Sequence, residues 1–275
     1  MSETQNEIEV GAPAYAAAPA PPPAQPDEPA QLNAMKRLSG TLFSPGETFR
    51  DVNRKPTIIV PILLGMILAV AGGLFFNWKV KPDWDRIFHA QIQKQLDRSG
   101  QSLTPTEIED RVAVSKKIAS FFPVIGVVAT PILYLIVAGI LALGMLLIQA
   151  KATFYKILSV VSWSYMATGL VQLLVFVAVV MVQDQETLNA IDPTQGVNLV
   201  PSNAGALLPA GTSKALMAFA TSLDLFSIWY LILLSIGLAA IAGSRKITPK
   251  KTGGMVFGLW FVWVLVKVGG AALFG

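Results

Sequence analysis

The 275-residue chain contains no cysteine and only one histidine, His89. The absence of thiols excludes a disulfide framework and thiol chemistry, and a single histidine excludes a His-rich metal site, so we expect no cofactor and no bound metal. Charged residues make up only 14% of the chain, whereas soluble domains contain about 25%. Because 53% of the residues are hydrophobic, this shortage of charge indicates that much of the surface faces lipid.

Motifs of enzymes and of nucleic-acid-binding proteins are also missing from the sequence. The segment GTSK, residues 211–214, lacks the spacing of a phosphate-binding loop, and neither HExxH nor a nucleophile elbow occurs. No strongly basic groove with interleaved aromatic residues is evident either. We therefore expect a non-enzymatic protein with no catalytic residues and no nucleic-acid partner.

Residues 1–33 differ in composition from the rest of the chain, since alanine and proline dominate and five acidic residues occur without a base. Such a segment cannot bury enough apolar surface to offset the entropy of ordering it. It also lacks the positive start and apolar core of a signal peptide. We predict a disordered cytoplasmic tail over 1–33 and a single membrane domain over 34–275.

Five apolar stretches are long enough to cross a bilayer, for which a helix needs about 20 residues. They cover about residues 57–76, 122–148, 157–182, 223–243 and 253–274. The last stretch contains Lys267, but its apolar residues outweigh the cost of one off-centre lysine that can extend toward the interface. The predicted fold is therefore all-α, a polytopic membrane bundle of five transmembrane helices.

Lysine and arginine residues crowd the span ends in three connections: before the first span, between the second and third, and between the fourth and fifth. Cytoplasmic connections carry such an excess of basic residues. We therefore predict a cytoplasmic N-terminus and an extracytoplasmic C-terminus.

The segment TLFSPGETFRDVNRKP, residues 41–56, predicts a short helix just before the first span. Ser44, Pro45 and Glu47 fit a capping box with proline at the first helical position. Pro56 then ends the helix before the span begins.

Around this segment, apolar and basic residues alternate with the spacing of amphipathic helices. Phe49 and Val52 fall on one side, whereas Arg50 and Arg54 fall elsewhere, and Arg37 belongs to a similar pattern upstream. This pattern is typical of helices in the cytoplasmic interface with their bases toward anionic headgroups. It is either a topology signal without a partner or a docking surface for a cytoplasmic protein. The candidate surface consists of Ser44, Pro45, Glu47, Phe49, Arg50 and Arg54.

The connection over residues 77–120 is predicted to form a helical hairpin outside the membrane. Thr104 and Glu107 fit a second capping box, and a Ser-Gly pair at 99–100 supplies the turn. His89 lies in this hairpin and is interpreted as a surface or capping residue.

Two ionisable residues lie within predicted spans, where such residues are costly and mark candidate functional sites. Asp224 begins the fourth span and Lys267 lies in the fifth. Counted from the turn between those spans, they differ in height by about 7 Å, which a lysine side chain can cover. We predict a salt bridge or a water-linked contact between them. A packing role is favoured over a proton or ion relay.

Small residues recur at the spacing that allows helices to approach closely. Gly65, Ala69 and Gly73 repeat every four residues in the first span, and Gly254 and Gly258 form a GxxxG motif in the fifth. We expect them to serve packing within the bundle, with a homo-oligomer face as the alternative.

Four segments carry a resemblance to a known family: LFSPGETFRDV (42–52), KATFYKILSVVSWS (151–164), SNAGALLP (202–209) and DLFSIWYLILLSIGLAAIAG (224–243). In these, the chain resembles bacterial Yip-domain proteins, of the Ypt/Rab-interacting membrane-protein family, over about residues 34–275. The resemblance implies five spans, the same orientation and a location in the bacterial cytoplasmic membrane. Because the acidic-aromatic signatures of eukaryotic members are not evident, GTPase binding is not carried over.

The leading hypothesis from the sequence is a non-enzymatic membrane scaffold or adaptor, whose partners are the lipid bilayer and an unidentified membrane or cytoplasmic protein. The alternative is a small transporter or channel that uses Asp224 and Lys267. A lipid-handling protein is a third hypothesis.

Overall fold

The computed structural model describes residues 32–190, 200–209 and 211–274. The predicted disordered tail lies almost wholly outside these residues. All secondary-structure elements in the described ranges are helices, and none is a strand. This confirms the all-α prediction.

The helices follow one another in chain order with short connections. They are α1 (Ala34–Phe43), α2 (Pro45–Arg54), α3 (Ile59–Val80), α4 (Trp84–Ser99), α5 (Pro105–Ser120), α6 (Phe122–Leu147), α7 (Phe154–Val182), α8 (Gln185–Ala190), α9 (Lys214–Ser222), α10 (Leu225–Ile241) and α11 (Pro249–Phe274). A 3₁₀ turn, Ala204–Leu207, precedes α9.

Four helices in the described part of the chain are long and apolar enough to cross a membrane: α3, α6, α7 and α11. They expose large apolar side chains along their outer faces, such as Ile67 on α3 and Trp263 on α11. Because so many exposed apolar side chains would be unfavourable in water, this surface fits a lipid environment.

The predicted fourth span, residues 223–243, is shorter than expected, so the prediction of five transmembrane helices is wrong in number. Helix α10 has 17 residues and is about 26 Å long, against a hydrocarbon thickness of about 30 Å. Local capping sets its length, because the Asp224 side chain accepts a hydrogen bond from the Ser227 amide and begins the helix there. At the other end, Gly243 adopts a φ of +69° and turns the chain away.

The main core brings α1 and α2 together with the long helices. Helix α2 packs against α10 and α7, α1 packs against α7, and α3 lies against α6 and α7. The two short N-terminal helices are therefore packed into the bundle.

The basic connections meet at one end of this bundle. The Lys151 amide donates to the Ala242 carbonyl at 3.1 Å, Lys156 Nζ donates to Asn53 Oδ1 at 2.7 Å, and Lys251 Nζ lies 3.5 Å from the Ile148 carbonyl. We call this the basic end.

Helices α4 and α5 form the predicted hairpin, with a small core of their own that includes Phe88, Leu96 and Val112. The capping box at Thr104 and Glu107 is present. The hydrogen bonds from Thr104 lower the pKa of the Glu107 carboxyl group.

His89 lies half-buried at the surface of this hairpin and joins its two helices. One ring nitrogen lies 2.8 Å from the Asp85 carbonyl and the other lies 3.1 Å from a carboxylate oxygen of Glu109. The bond to the Asp85 carbonyl, followed by the bond to Glu109, raises the pKa of His89 above its usual value.

Protonated His89 is therefore expected to stabilise the hairpin in a definite pH range. Since the folded-state pKa is raised, this contribution is complete below the unfolded-state pKa of about 6.5. It is lost as the pH rises through the folded-state value. Amide hydrogen exchange in α4 and α5, corrected for intrinsic rates, should show protection falling between pH 5.5 and 8 in the wild type but not in His89→Gln. The same decline in both proteins would contradict this role.

Candidate functional site

Ser44 joins α1 to α2, and its role differs from the prediction. Its amide donates to the Gly40 carbonyl at 2.7 Å, so it ends α1. Pro45 occupies the first turn of α2 as predicted, but the Ser44 side chain accepts no capping hydrogen bond. The capping box with Glu47 is therefore wrong, because closing α1 holds Ser44 at φ −142° and ψ 56°. Thr48 instead donates its hydroxyl to the Ser44 carbonyl at 3.1 Å.

The apolar face of α2 is inserted into the bundle. Phe49 and Val52 are fully buried, and Phe49 lies over Gly237 of α10. A Cβ atom on Gly237 would overlap Val160 of α7 and come within 3.2 Å of the Phe49 ring. Phe49 is thus a core residue, and its assignment to an accessible surface is wrong. The Phe49 ring fits at this position because residue 237 is a glycine.

A buried ion pair joins α1 to α2. Arg37 Nε and Nη2 lie 2.8 and 2.7 Å from Asp51 Oδ2, and the two side chains are only 4% and 6% exposed. Arg37 Nη1 also donates to Thr57 Oγ1 at 2.8 Å. Arg37 therefore does not face lipid headgroups, because its charge is neutralised inside the protein.

Thr57 extends this network to α7. Its amide donates to Ser159 Oγ at 3.1 Å, while Ser159 Oγ donates to the Thr57 carbonyl at 2.9 Å. Trp163 Nε1 lies 3.2 Å from Thr57 Oγ1. The residues just before α3 are thus fixed to the first half of α7. This network was not predicted from the sequence. Its one signal in the sequence is Asp51, an acidic residue next to Val52 on the buried side of α2.

The remaining residues of the predicted surface lie on the outside of α2. Ser44, Glu47, Arg50 and Arg54 are exposed, and Pro45 is half-buried. We call the face formed by Glu47, Arg50 and Arg54 the α2 outer face. It lies at the basic end, since the neighbouring Asn53 accepts the bond from Lys156.

A second candidate site is a partly open cavity of about 630 Å³ between the helices. Ala69 and Gly169, which line it, lie near the midpoints of α3 and α7. The other wall is formed by the segment that leads into α10, including Ser202 and Asp224.

The predicted small-residue repeat of α3 therefore has two roles. Gly65 allows close packing, since its Cβ would come within 2.9 Å of the Tyr134 hydroxyl, whereas Ala69 and Gly73 line the cavity.

Asp224 faces this cavity and is fixed by two hydrogen bonds. One carboxylate oxygen accepts the Ser227 amide at 2.8 Å, and the other accepts the Ser202 hydroxyl. The Leu225 amide also donates to the Ser202 carbonyl at 2.9 Å. The carboxylate is thereby positioned from two segments.

Lys267 lines a neighbouring cavity. In the described part of the chain, it makes no direct contact with Asp224. Its Nζ lies 3.3 Å from Thr221 Oγ1 and 3.2 Å from Ser222 Oγ. These hydroxyls are at the C-terminal end of α9, where a cation is favoured. The direct salt bridge is therefore wrong, and a water-linked contact stays a prediction. Thr221 and Ser227 line both cavities and lie between them.

Residues 39–271 of the chain match the model of the Yip1 domain family. This confirms the family resemblance predicted from the four segments. No curated protein and no solved structure matches.

The contact between Phe49 and Gly237 gives a sharp mutational test of how α2 is seated. Gly237→Ala should destabilise the protein by about 1–3 kcal/mol, because the added methyl group overpacks the core. Gly254→Ala is the matched control, since a Cβ there meets nothing within 4 Å. Thermal unfolding in detergent, together with protease cleavage after Arg50 and Arg54, measures both effects. Equal stability and cleavage in the two variants would contradict the seating of α2.

Proposed function

Because the chain belongs to the Yip1 domain family, we propose that this membrane protein is a non-enzymatic adaptor whose α2 outer face binds a cytoplasmic protein. The basic end then faces the cytoplasm, in a bacterial cytoplasmic membrane. The shorter helix α10 returns the chain to that end, where Ala242 accepts the Lys151 amide, and α11 leads from there to an extracytoplasmic C-terminus. Basic residues concentrated in cytoplasmic connections support this orientation.

One observation carries the proposal: the apolar face of α2 is buried inside the protein. An interfacial helix would insert Phe49 into lipid, but Phe49 is buried against α10 and α7. The α2 outer face is consequently held in place by the bundle core. A surface ordered before binding loses less entropy when a partner docks, which favours recognition.

The charges of this face indicate the chemistry of the partner. Arg50 and Arg54 are exposed one helical turn apart, and arginine binds carboxylates in a bidentate way. Lys55 follows them and is also exposed. The expected partner therefore presents acidic side chains.

Site-specific photocross-linking in native membranes tests the adaptor proposal. A benzoylphenylalanine at Glu47 should form a protein adduct, whereas one at Lys94, exposed on the distant hairpin, should not form the same adduct. Adding Arg50→Glu and Arg54→Glu should reduce the adduct at least about tenfold, because like charges repel across an interface. An adduct that is unaffected by this charge reversal, or none at all in a correctly inserted protein, would contradict the proposal.

A small transporter or channel that uses Asp224 and Lys267 is a second candidate, supported by the cavity that contains Asp224 midway along the helices. Proton and small-cation flux into dye-loaded proteoliposomes tests it. Flux that Asp224→Asn abolishes would favour this candidate. Flux equal to that of protein-free vesicles would remove it and leave the adaptor proposal unchanged.

A further inference from the structure

The Asp224 cavity has an unusual electrostatic character for the interior of a membrane bundle. Among the described residues that line it, Asp224 is the only charged side chain, and no lysine or arginine faces it. Lys267 is directed to the neighbouring cavity, toward Thr221 and Ser222. The cavity thus favours a cationic group over an anion.

An aromatic ring is exposed to the same space. Tyr165 is 45% exposed although Ser164 and Met166, its neighbours in the chain, are buried, and it lines the cavity. Its ring lies 5.0 Å from that of Tyr134 and 5.9 Å from that of Tyr230, centroid to centroid. A tyrosine face attracts cations, and aromatic cages recognise alkylated ammonium groups in this way.

An unsatisfied polar atom lies behind the cavity wall, next to Gly65. The hydroxyl of Tyr134 is buried, on a residue only 1% exposed, and it has no hydrogen-bond partner among the described residues. It points at Gly65, which lines the cavity. Since Tyr134 does not line the cavity, this hydroxyl polarises the wall near Gly65 and is not itself a contact for a ligand.

The remaining walls are suited to a chain of carbon atoms. Leu68, Leu173 and Phe176 line the cavity. Its volume of about 630 Å³ lies within the range of small-molecule sites. A polar region around Asp224 and an apolar region around Phe176 together fit an amphiphilic ligand.

We propose that this cavity binds an organic ammonium group. Asp224 is its counter-ion, the face of Tyr165 packs against it, and the Ser202 hydroxyl accepts one of its N–H donors. The group comes either from the headgroup of an aminophospholipid or from a soluble amine. Binding requires no transport and does not depend on the adaptor proposal.

Native mass spectrometry of the full chain, purified in detergent, tests the lipid source. The probes are phosphatidylethanolamine and phosphatidylglycerol of identical acyl chains. The wild type should retain phosphatidylethanolamine about tenfold better than phosphatidylglycerol, and Asp224→Asn should abolish the preference, since a charged hydrogen bond is lost. Asparagine caps helices as well as aspartate does, so this variant preserves the start of α10.

A cavity-filling variant provides an independent test. Gly169→Leu has room for its Cβ, which meets only the Tyr165 ring at 3.9 Å, and the rest of its side chain would occupy the cavity. It should reduce retention about as much as Asp224→Asn. Gly126→Leu on α6 is the control, since a Cβ there meets nothing within 4 Å and Gly126 does not line the cavity.

Titration with ethanolamine and with tetramethylammonium in lipid-free detergent tests the soluble source. A rise in the thermal unfolding midpoint that both cavity variants abolish supports a soluble amine, and selective retention of phosphatidylethanolamine supports a lipid headgroup. Equal retention of both lipids with no response to either amine would overturn the proposal. Unchanged binding in Asp224→Asn and Gly169→Leu would overturn it as well.

Discussion

The buried ion pair between Arg37 and Asp51 is the interaction on which the arrangement of the basic end depends. A single buried charge is strongly unfavourable, whereas two that meet with good geometry and further hydrogen bonds are tolerated. Arg37 reaches Asp51 and Thr57 only when α1 closes against α2 and α2 lies beside the start of α3. The same closure places Phe49 over Gly237. Burying one arginine thus fixes three elements.

The two proposed functional regions of the molecule lie at different heights in the bundle. At the basic end, the α2 outer face is rigid because its opposite side belongs to the core. About halfway along the bundle, Asp224 and Ser202 border a cavity that exists because α3 and α7 have small residues there. The two regions use different residues, so the proposed protein docking and the proposed ligand binding can be tested with separate variants.

Much of the architecture could be predicted from the sequence, because hydropathy and capping are local properties. The four long helices follow from apolar runs, and the hairpin follows from Thr104 and Glu107. Ser44 and Glu47 fit the same capping pattern, but the pattern does not reveal that Ser44 already ends α1. The predicted fourth span, residues 223–243, was a few residues too long, because Asp224 caps α10 at its start and Gly243 turns the chain away after its end.

The site was harder to predict because it depends on contacts between distant residues. Arg37 fits an amphipathic pattern, and nothing in that pattern identifies Asp51 as its partner. Asp224 could be found, since a carboxylate in an apolar run stands out, but its height relative to Lys267 does not tell which way either side chain turns. The cavity arises from Gly169, Ala69 and Ser202 together, and no spacing in the chain connects them.

A double-mutant cycle on Arg37 and Asp51, measured by unfolding in detergent micelles, tests most directly whether this ion pair holds α1 and α2 to the bundle. Asp51→Asn or Arg37→Met alone should lower the free energy of unfolding by about 3–5 kcal/mol, because each leaves a buried group without its partner. The double variant should recover much of that loss. Single variants within about 0.5 kcal/mol of the wild type, or losses that simply add, would contradict the central role of the pair.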